Sequence, residues 1–143
     1  MLVLDANILI RAVLGRRVRE LLEAYAQQGV RFYAPDICFE DAAKYLPTLL
    51  AKRDKSDIDL VSTLEYLKTL VEPVDESLYA FHETDARERL SGQDEEDWPV
   101  LACALALTSS IWTEDTDFFG TGASVWTTNR IEIFLKAQTS AKD

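Results

Sequence analysis

Short apolar runs alternate with segments of helical periodicity along the whole chain, and this alternation limits the fold more than any other sequence feature. The apolar runs at 2–4, 30–34, 71–74, 110–113 and 124–127 have the length and composition of strands. Strands separated by helices favour parallel pairing, with helices covering both faces of the sheet. The sequence therefore predicts an α/β fold, a three-layer α/β/α sandwich around a central parallel sheet of about five strands.

The segments between these runs carry their own helix signals. Helices are predicted over 8–14, 18–26, 36–51, 57–70, 77–89, 97–107 and 129–135. Gly29 is typical of a residue that follows a helix end. Pro47 lies inside the third predicted helix and should kink or divide it. In the fifth, Leu78, Phe81 and Ala86 are predicted to face the core.

Composition predicts one domain and limits its partners. The 143 residues, 48% of them hydrophobic, suffice for a single domain with its own core, predicted to span residues 1–143. The 25 acidic and 15 basic residues give a net charge of −10, which argues against a protein that coats nucleic acid. A nuclease is still allowed, because metal ions offset an acidic site and a local basic rim can hold a phosphate backbone.

Neither the start of the chain nor its cysteines indicate export or a membrane. The sequence begins MLVLD, without the basic segment of a signal peptide. The apolar run at 100–107 is too short to cross a bilayer. Cys38 and Cys103 lie in apolar stretches without metal-ligand spacing, so they are predicted to be buried thiols in a reducing compartment. We expect a cytoplasmic protein with no membrane partner.

Acidic residues at four separated places should meet at one edge of the predicted sheet. Asp5 and Asp115 come just after predicted strands, whereas Glu40 and Asp97 lie in the first turns of predicted helices. In an open parallel sheet these positions lie at the carboxyl edge, where ligands bind. Crowded carboxylates repel one another, so the simplest occupant is a hard divalent cation held by oxygen ligands. This arrangement points to a metal-dependent nuclease.

Each acid also has a purely structural explanation when it is taken alone. Asp5 could cap the first helix, and Glu40 could pair with Lys44 one turn later for about 0.3–0.5 kcal/mol. Asp97 could favour a helix start through the helix dipole, and Asp115 could be a turn residue. Four such coincidences at one sheet edge explain the pattern less well than one shared site does.

Three motifs together resemble the PIN-domain (PilT N-terminal-like) family, which includes the VapC-type toxin ribonucleases. They are LVLDANILI at 2–10, DWPVLACALA at 97–106 and IWTEDTDF at 111–118. The third resembles the family's threonine-x-aspartate-x-aspartate-phenylalanine segment at the end of its fourth strand. The resemblance covers nearly the whole chain.

The resemblance assigns roles to particular residues. Those matching the catalytic and metal-binding acids are Asp5, Glu40, Asp97 and Asp115, with Asp117 as a further metal ligand and Asn7 and Thr113 as supporting residues. Asp36 and Asp41 compete with Glu40 for its role, and Asp94 competes with Asp97.

The resemblance further implies an activity and partners. The activity is that of an endoribonuclease that depends on Mg²⁺ (or Mn²⁺) and hydrolyses RNA with a metal-activated water. A VapC-type member would be the toxin of a toxin–antitoxin pair, with an antitoxin protein as partner. Family members often form homodimers, for which the helices near 45–50 and 60–70 are the candidate contacts.

Other functions remain open at this stage. A PIN-like scaffold could bind RNA or protein without cutting. A phosphohydrolase of the haloacid-dehalogenase type would need Asp-x-Asp after the first strand, where this chain has Asn7. A response-regulator receiver would need a lysine after the last strand, where Asn129 and Arg130 stand. The single histidine, His82, is predicted to be structural.

Two basic runs are candidates for substrate contacts. The first comprises Arg11, Arg16, Arg17 and Arg19, and the second comprises Lys52, Arg53 and Lys55. Either could bind phosphates, and the first is nearer to the predicted metal edge. The second is explained more simply as a solvated surface.

Overall fold

The structure, a computed structural model that describes residues 1–140, contains a single parallel sheet. Its strands are β1 (Leu2–Leu4), β2 (Phe32–Pro35), β3 (Val71–Val74), β4 (Ser110–Trp112) and β5 (Val125–Trp126). They lie in the order β3-β2-β1-β4-β5, and each neighbouring pair is parallel. The predicted α/β fold is confirmed. The last three residues of the predicted 1–143 domain lie outside the described range.

Helices connect the strands and cover the sheet. They are α1 (Ala6–Leu14), α2 (Arg17–Gln27), α3 (Asp36–Lys52), α4 (Leu60–Leu70), α5 (Glu83–Arg89), α6 (Trp98–Leu107) and α7 (Ile131–Ser140). Helix α6 packs against β1, β2, β4 and α5, whereas α1 packs against α2, α3 and α4. Over residues 1–140, no helix has the length and apolar character needed to cross a bilayer.

The central strand β1 carries no solvent-facing residue. Leu2, Val3 and Leu4 are all completely buried, and Ile111 and Trp112 of the neighbouring β4 are buried with them. A continuous apolar run is typical of a parallel strand covered by helices on both faces. Because β1 lies between β2 and β4, the polar residues that follow β1 and β4 are held side by side.

The helix predicted over 77–89 is α-helical only from Glu83. Two 3₁₀ turns precede it, and their tighter winding changes which residues face the core. The prediction for Leu78 and Phe81 was wrong, since they are 60% and 78% exposed and Tyr79 is buried instead.

Helix α3 continues through Pro47, so of the two predicted effects, a kink or a division, the division does not occur. Proline removes the hydrogen bond to the carbonyl four residues earlier, which belongs to Ala43. Both residues are exposed, so water can satisfy the freed carbonyl. The continuous helix keeps its first turns, which follow β2, at the carboxyl edge of the sheet.

Candidate metal centre

Asp5 combines a structural role with a place in the candidate site. It follows β1 directly, and one carboxylate oxygen accepts a hydrogen bond from the Ile8 N–H at 3.0 Å, which caps α1. Its other carboxylate oxygen accepts a hydrogen bond from the Thr113 hydroxyl. Burial raises the pKa of Asp5, and the charge of Asp115 acts in the same direction, while the two hydrogen bonds oppose the rise.

The segment after β4 is fixed by hydrogen bonds from its own side chains. The hydroxyl of the fully buried Thr113 accepts a hydrogen bond from the Asp115 N–H at 3.0 Å while donating to Asp5. A carboxylate oxygen of Asp115 accepts from the Asp117 N–H at 2.9 Å. Thr113 therefore links the ends of β1 and β4, a position that supports the role predicted for it.

Asp97 reaches the same place from the start of α6. A short 3₁₀ turn, Glu95–Asp97, leads into the helix and is capped by Asp94. Asp97 itself makes no capping hydrogen bond, so its half-buried carboxylate remains available. One carboxylate oxygen from each of Asp97, Asp115 and Asp117 lies within 4.8 Å of the other two.

A small pocket, which we call the acidic pocket, contains most of these groups. The acidic residues that line it are Asp5, Asp41, Glu96, Asp97 and Asp115, together with Asn7, Cys38 and Pro99. No lysine, arginine or histidine of the described residues lines it. Its volume of about 100 Å³ accommodates an ion with a few waters. An organic ligand usually needs roughly 300–1,000 Å³.

Burial and acidic neighbours act together on Asp97. Burial first, then the nearby charges of Asp94, Asp115 and Asp5 and a hydrogen bond with Asp115, raise the pKa of Asp97 to about 7. Without a cation, Asp97 is thus close to half protonated at neutral pH. A cation would release that proton, because positive charge favours the carboxylate. A donor set made of carboxylate oxygens fits a hard ion such as Mg²⁺ or Mn²⁺.

The structure does not bring Glu40 to the acidic pocket. Glu40 is exposed and lines a neighbouring cleft with Asp36, Phe39 and Lys68. Successive residues of an α-helix point about 100° apart, so neighbours on α3 face different surfaces. The residue of α3 that does line the acidic pocket with a carboxylate is Asp41, one turn beyond Cys38.

Two acids of the pocket were not among the predicted site residues. Asp41 follows the buried Cys38 at a helical spacing of three, and this periodicity was the signal that could have favoured it over Glu40. Glu96 stands at the rim, where its side chain is 82% exposed and contacts Arg87 at 3.6 Å. Glu96 directly precedes Asp97 in the sequence, but only the structure shows that it lines the pocket while Glu95 does not.

Comparison with known proteins agrees with this arrangement. A family model described as PIN domain matches residues 3–136, a range that includes every acid of the pocket. No curated protein and no solved structure matches the chain. The family match therefore adds weight to the motifs around Asp5, Asp97 and Asp115 without pointing to a particular substrate.

Proposed function

Because the chain belongs to the PIN-domain family, whose members are generally nucleases, we propose that it is a metal-dependent endoribonuclease. The observation that carries this proposal is the convergence of Asp5, Asp97 and Asp115 in one small pocket that no basic residue within 1–140 lines. Asp5 follows β1, Asp97 directly precedes α6 and Asp115 lies after β4, so local helix or turn stability does not explain why they meet.

In this proposal the acids together bind one or two Mg²⁺ or Mn²⁺ ions. Asp97, Asp115 and Asp117 would be ligands, since their oxygens already lie close together. Asp5 would be a further ligand, oriented by its hydrogen bond from Thr113. When bound, the metal would stabilise negative charge on the phosphate and lower the pKa of the attacking water. At the position first assigned to Glu40, the geometry favours Asp41.

Other residues would position the substrate. Asn7 lines the pocket with an amide that can donate a hydrogen bond to a phosphate oxygen. The pocket is too small for a nucleotide, so the reacting phosphate would enter while the rest of the strand stays outside. An unpaired strand can follow such a surface more easily than a duplex, which favours single-stranded or looped RNA.

Three further parts of the proposal rest on the sequence resemblance: the role of toxin in a toxin–antitoxin pair, an antitoxin partner and a homodimer. A cytoplasmic location is proposed from the sequence itself. The two free, buried thiols, Cys38 and Cys103, agree with a reducing compartment. The haloacid-dehalogenase alternative is set aside, because the chain belongs to the PIN-domain family.

A cleavage assay on mixed single-stranded RNAs tests this function. The protein should cleave in millimolar Mg²⁺ or Mn²⁺ and lose activity in EDTA. Asp97→Asn should abolish cleavage, whereas Glu72→Gln, which changes an exposed acid outside the pocket, should retain it. Cleavage that persists in EDTA or in Asp97→Asn would reject the metal mechanism. Its complete absence under all conditions would favour the scaffold that binds without cutting.

A further inference from the structure

A second concave surface lies beside the acidic pocket and carries the opposite charge. We call it the basic groove and define it by Arg11, Arg16, Arg17, Arg53 and Thr128, around a volume of about 450 Å³. Four guanidinium groups at one place are unexpected on a chain with a net charge of −10. This concentration of positive charge has no role in the metal chemistry proposed above.

The basic groove is assembled from both basic runs of the sequence. Arg11, Arg16 and Arg17 come from the end of α1 and the start of α2, whereas Arg53 follows α3. The Lys55 ammonium donates a hydrogen bond to the Leu14 carbonyl oxygen at 3.4 Å, which ties the segment after α3 to the end of α1. The second run is therefore part of a shared surface with the first.

Most of this positive charge is left without a protein counterion. Among the described residues, Arg17 pairs with Glu132 at 2.8 Å, but no ion pair involves Arg11, Arg16 or Arg53. All three unpaired arginines are exposed. No side chain caps α2 at this point, so the N–H groups of its first turn add to the positive potential.

The basic groove begins where the acidic pocket ends. On α1, Asn7 lines the pocket, and Arg11, one helical turn or about 5.4 Å further on, lines the groove. After β4, Asp115 lines the pocket, and its neighbour Glu114 lines a shallow extension of the groove beside Arg11 and Asn129. A strand with one phosphate at the pocket would thus reach the groove first at Arg11.

We propose that the basic groove binds the backbone phosphates of single-stranded nucleic acid next to the bond that is cut. The planar guanidinium group matches phosphate oxygens in a bidentate geometry, and its charge holds a backbone without reading the bases. The position of the cut relative to the groove rests on the proposed nuclease function. Binding itself does not, because the arginines lie outside the acidic pocket and need no metal.

The test measures binding of a fluorescently labelled oligouridylate of roughly 12 nucleotides, within the usual range of single-strand site sizes. Fluorescence anisotropy is recorded in EDTA, from about 50 to 200 mM salt, with wild type, Arg11→Gln and Arg53→Gln. The matched control is Arg31→Gln. Arg31 is also exposed and has no ion pair within residues 1–140, but it precedes β2, at the opposite edge of the sheet.

Each groove substitution should weaken binding roughly fivefold at about 0.1 M salt and reduce the salt slope by about 0.7, the value for one lost phosphate contact. Arg31→Gln should bind like wild type.

Three results would overturn the inference: no binding by wild type, an equal loss of affinity in Arg31→Gln, or displacement of the RNA by polyglutamate of equal charge. If the groove variants lose affinity although wild type never cleaves RNA, the binding role of the groove is supported and the nuclease proposal is rejected. If wild type cleaves RNA and the groove variants bind normally, the nuclease proposal is supported and the binding role of the groove is rejected.

Discussion

The carboxyl group of Asp97 is the clearest single-residue probe of the candidate metal centre. With its pKa raised to about 7, it keeps a proton in the folded protein that the unfolded chain releases above about pH 4. The stabilisation from this proton is complete below pH 4 and is lost as the pH rises through 7. We predict that metal-free wild type becomes less stable between pH 4 and pH 7, and that Asp97→Asn flattens this dependence.

Thermal unfolding in EDTA across that pH range checks the prediction. Glu72→Gln is the control, because Glu72 is exposed and lies outside the pocket. If the melting temperatures of wild type and Asp97→Asn depended on pH in the same way, the protonation of Asp97 would not contribute to the pH dependence of stability.

Two neighbouring residues on α3 test whether the sequence resemblance or the geometry identifies the functional acid. Asp41 lines the acidic pocket, whereas Glu40 lines a different cleft. We predict that Asp41→Asn lowers kcat for RNA cleavage at least tenfold, as loss of an interaction worth about 1.4 kcal/mol in the transition state would do. Glu40→Gln should leave kcat within about twofold of wild type. The opposite ranking in a steady-state assay would restore Glu40 as the functional acid.

At the scale of secondary structure, the sequence predicted the parts of the fold that depend on continuous apolar runs. Strands β1 and β4 were located to within a residue, because each ends in buried apolar residues that a polar residue follows. Strand β3 was located equally well, although its Glu72 is exposed. Helix starts were less certain where several residues could act as caps. The helix predicted over 57–70 begins only at Leu60, because Asp59 caps α4 by accepting a hydrogen bond from the Ser62 N–H.

Features that depend on how elements pack could not be derived in the same way. The choice between Glu40 and Asp41 depends on the rotation of α3 about its axis, for which the spacing of three residues from Cys38 to Asp41 was the available sequence signal. Arg11 and Arg53 line one groove because segments about forty residues apart in the chain contact each other. No local sequence pattern encodes that contact. The strand-end acids Asp5 and Asp115 were predictable, since parallel strands place their ends together.

Metal binding should stabilise the contact between α6 and the segment after β4. The carboxylate of Asp97 lies in the 3₁₀ turn that directly precedes α6, and those of Asp115 and Asp117 lie in the segment after β4. We predict that Mg²⁺ or Mn²⁺ raises the melting temperature, with about 2.7 kcal/mol of added stability when free metal is roughly 100 times its Kd. Asp97→Asn should melt higher than wild type without metal and lose much of this response.

Differential scanning fluorimetry with and without metal measures both effects. Arms with EDTA and with sodium chloride of matched ionic strength distinguish site binding from a general effect of ionic strength. If Asp97→Asn only lowered the melting temperature and responded to metal as wild type does, helix initiation would explain Asp97 better than a metal site.

At the scale of the whole molecule, the exposed side of α3 and α4 is the predicted dimer contact. Tyr45, Val61 and Tyr66 are 55%, 74% and 43% exposed, respectively, and large apolar groups on helices are typical of isologous interfaces. We predict a homodimer at tens of micromolar, roughly where transient contacts saturate, and dissociation by Val61→Asp. Phe81→Asp is the matched control, because Phe81 is 78% exposed on a different segment.

Light scattering and sedimentation give the molecular mass of each variant directly. A monomeric wild type would reject the dimer. Equal disruption by Phe81→Asp would show that the contact does not lie on α3 and α4.

Analysis of the RNA product ends tests most directly whether a metal-activated water cleaves the RNA. Attack by water with the 3′-oxygen as leaving group produces a 5′-phosphate and a 3′-hydroxyl, whereas attack by the substrate's own 2′-hydroxyl produces a 2′,3′-cyclic phosphate and needs no metal. The acidic pocket has no lining histidine or lysine among the described residues, so its chemistry favours the first route. If the metal-dependent mechanism is right, we expect 5′-phosphate and 3′-hydroxyl ends that appear only with metal and not with Asp97→Asn. Cyclic-phosphate ends that form equally well in EDTA would contradict it.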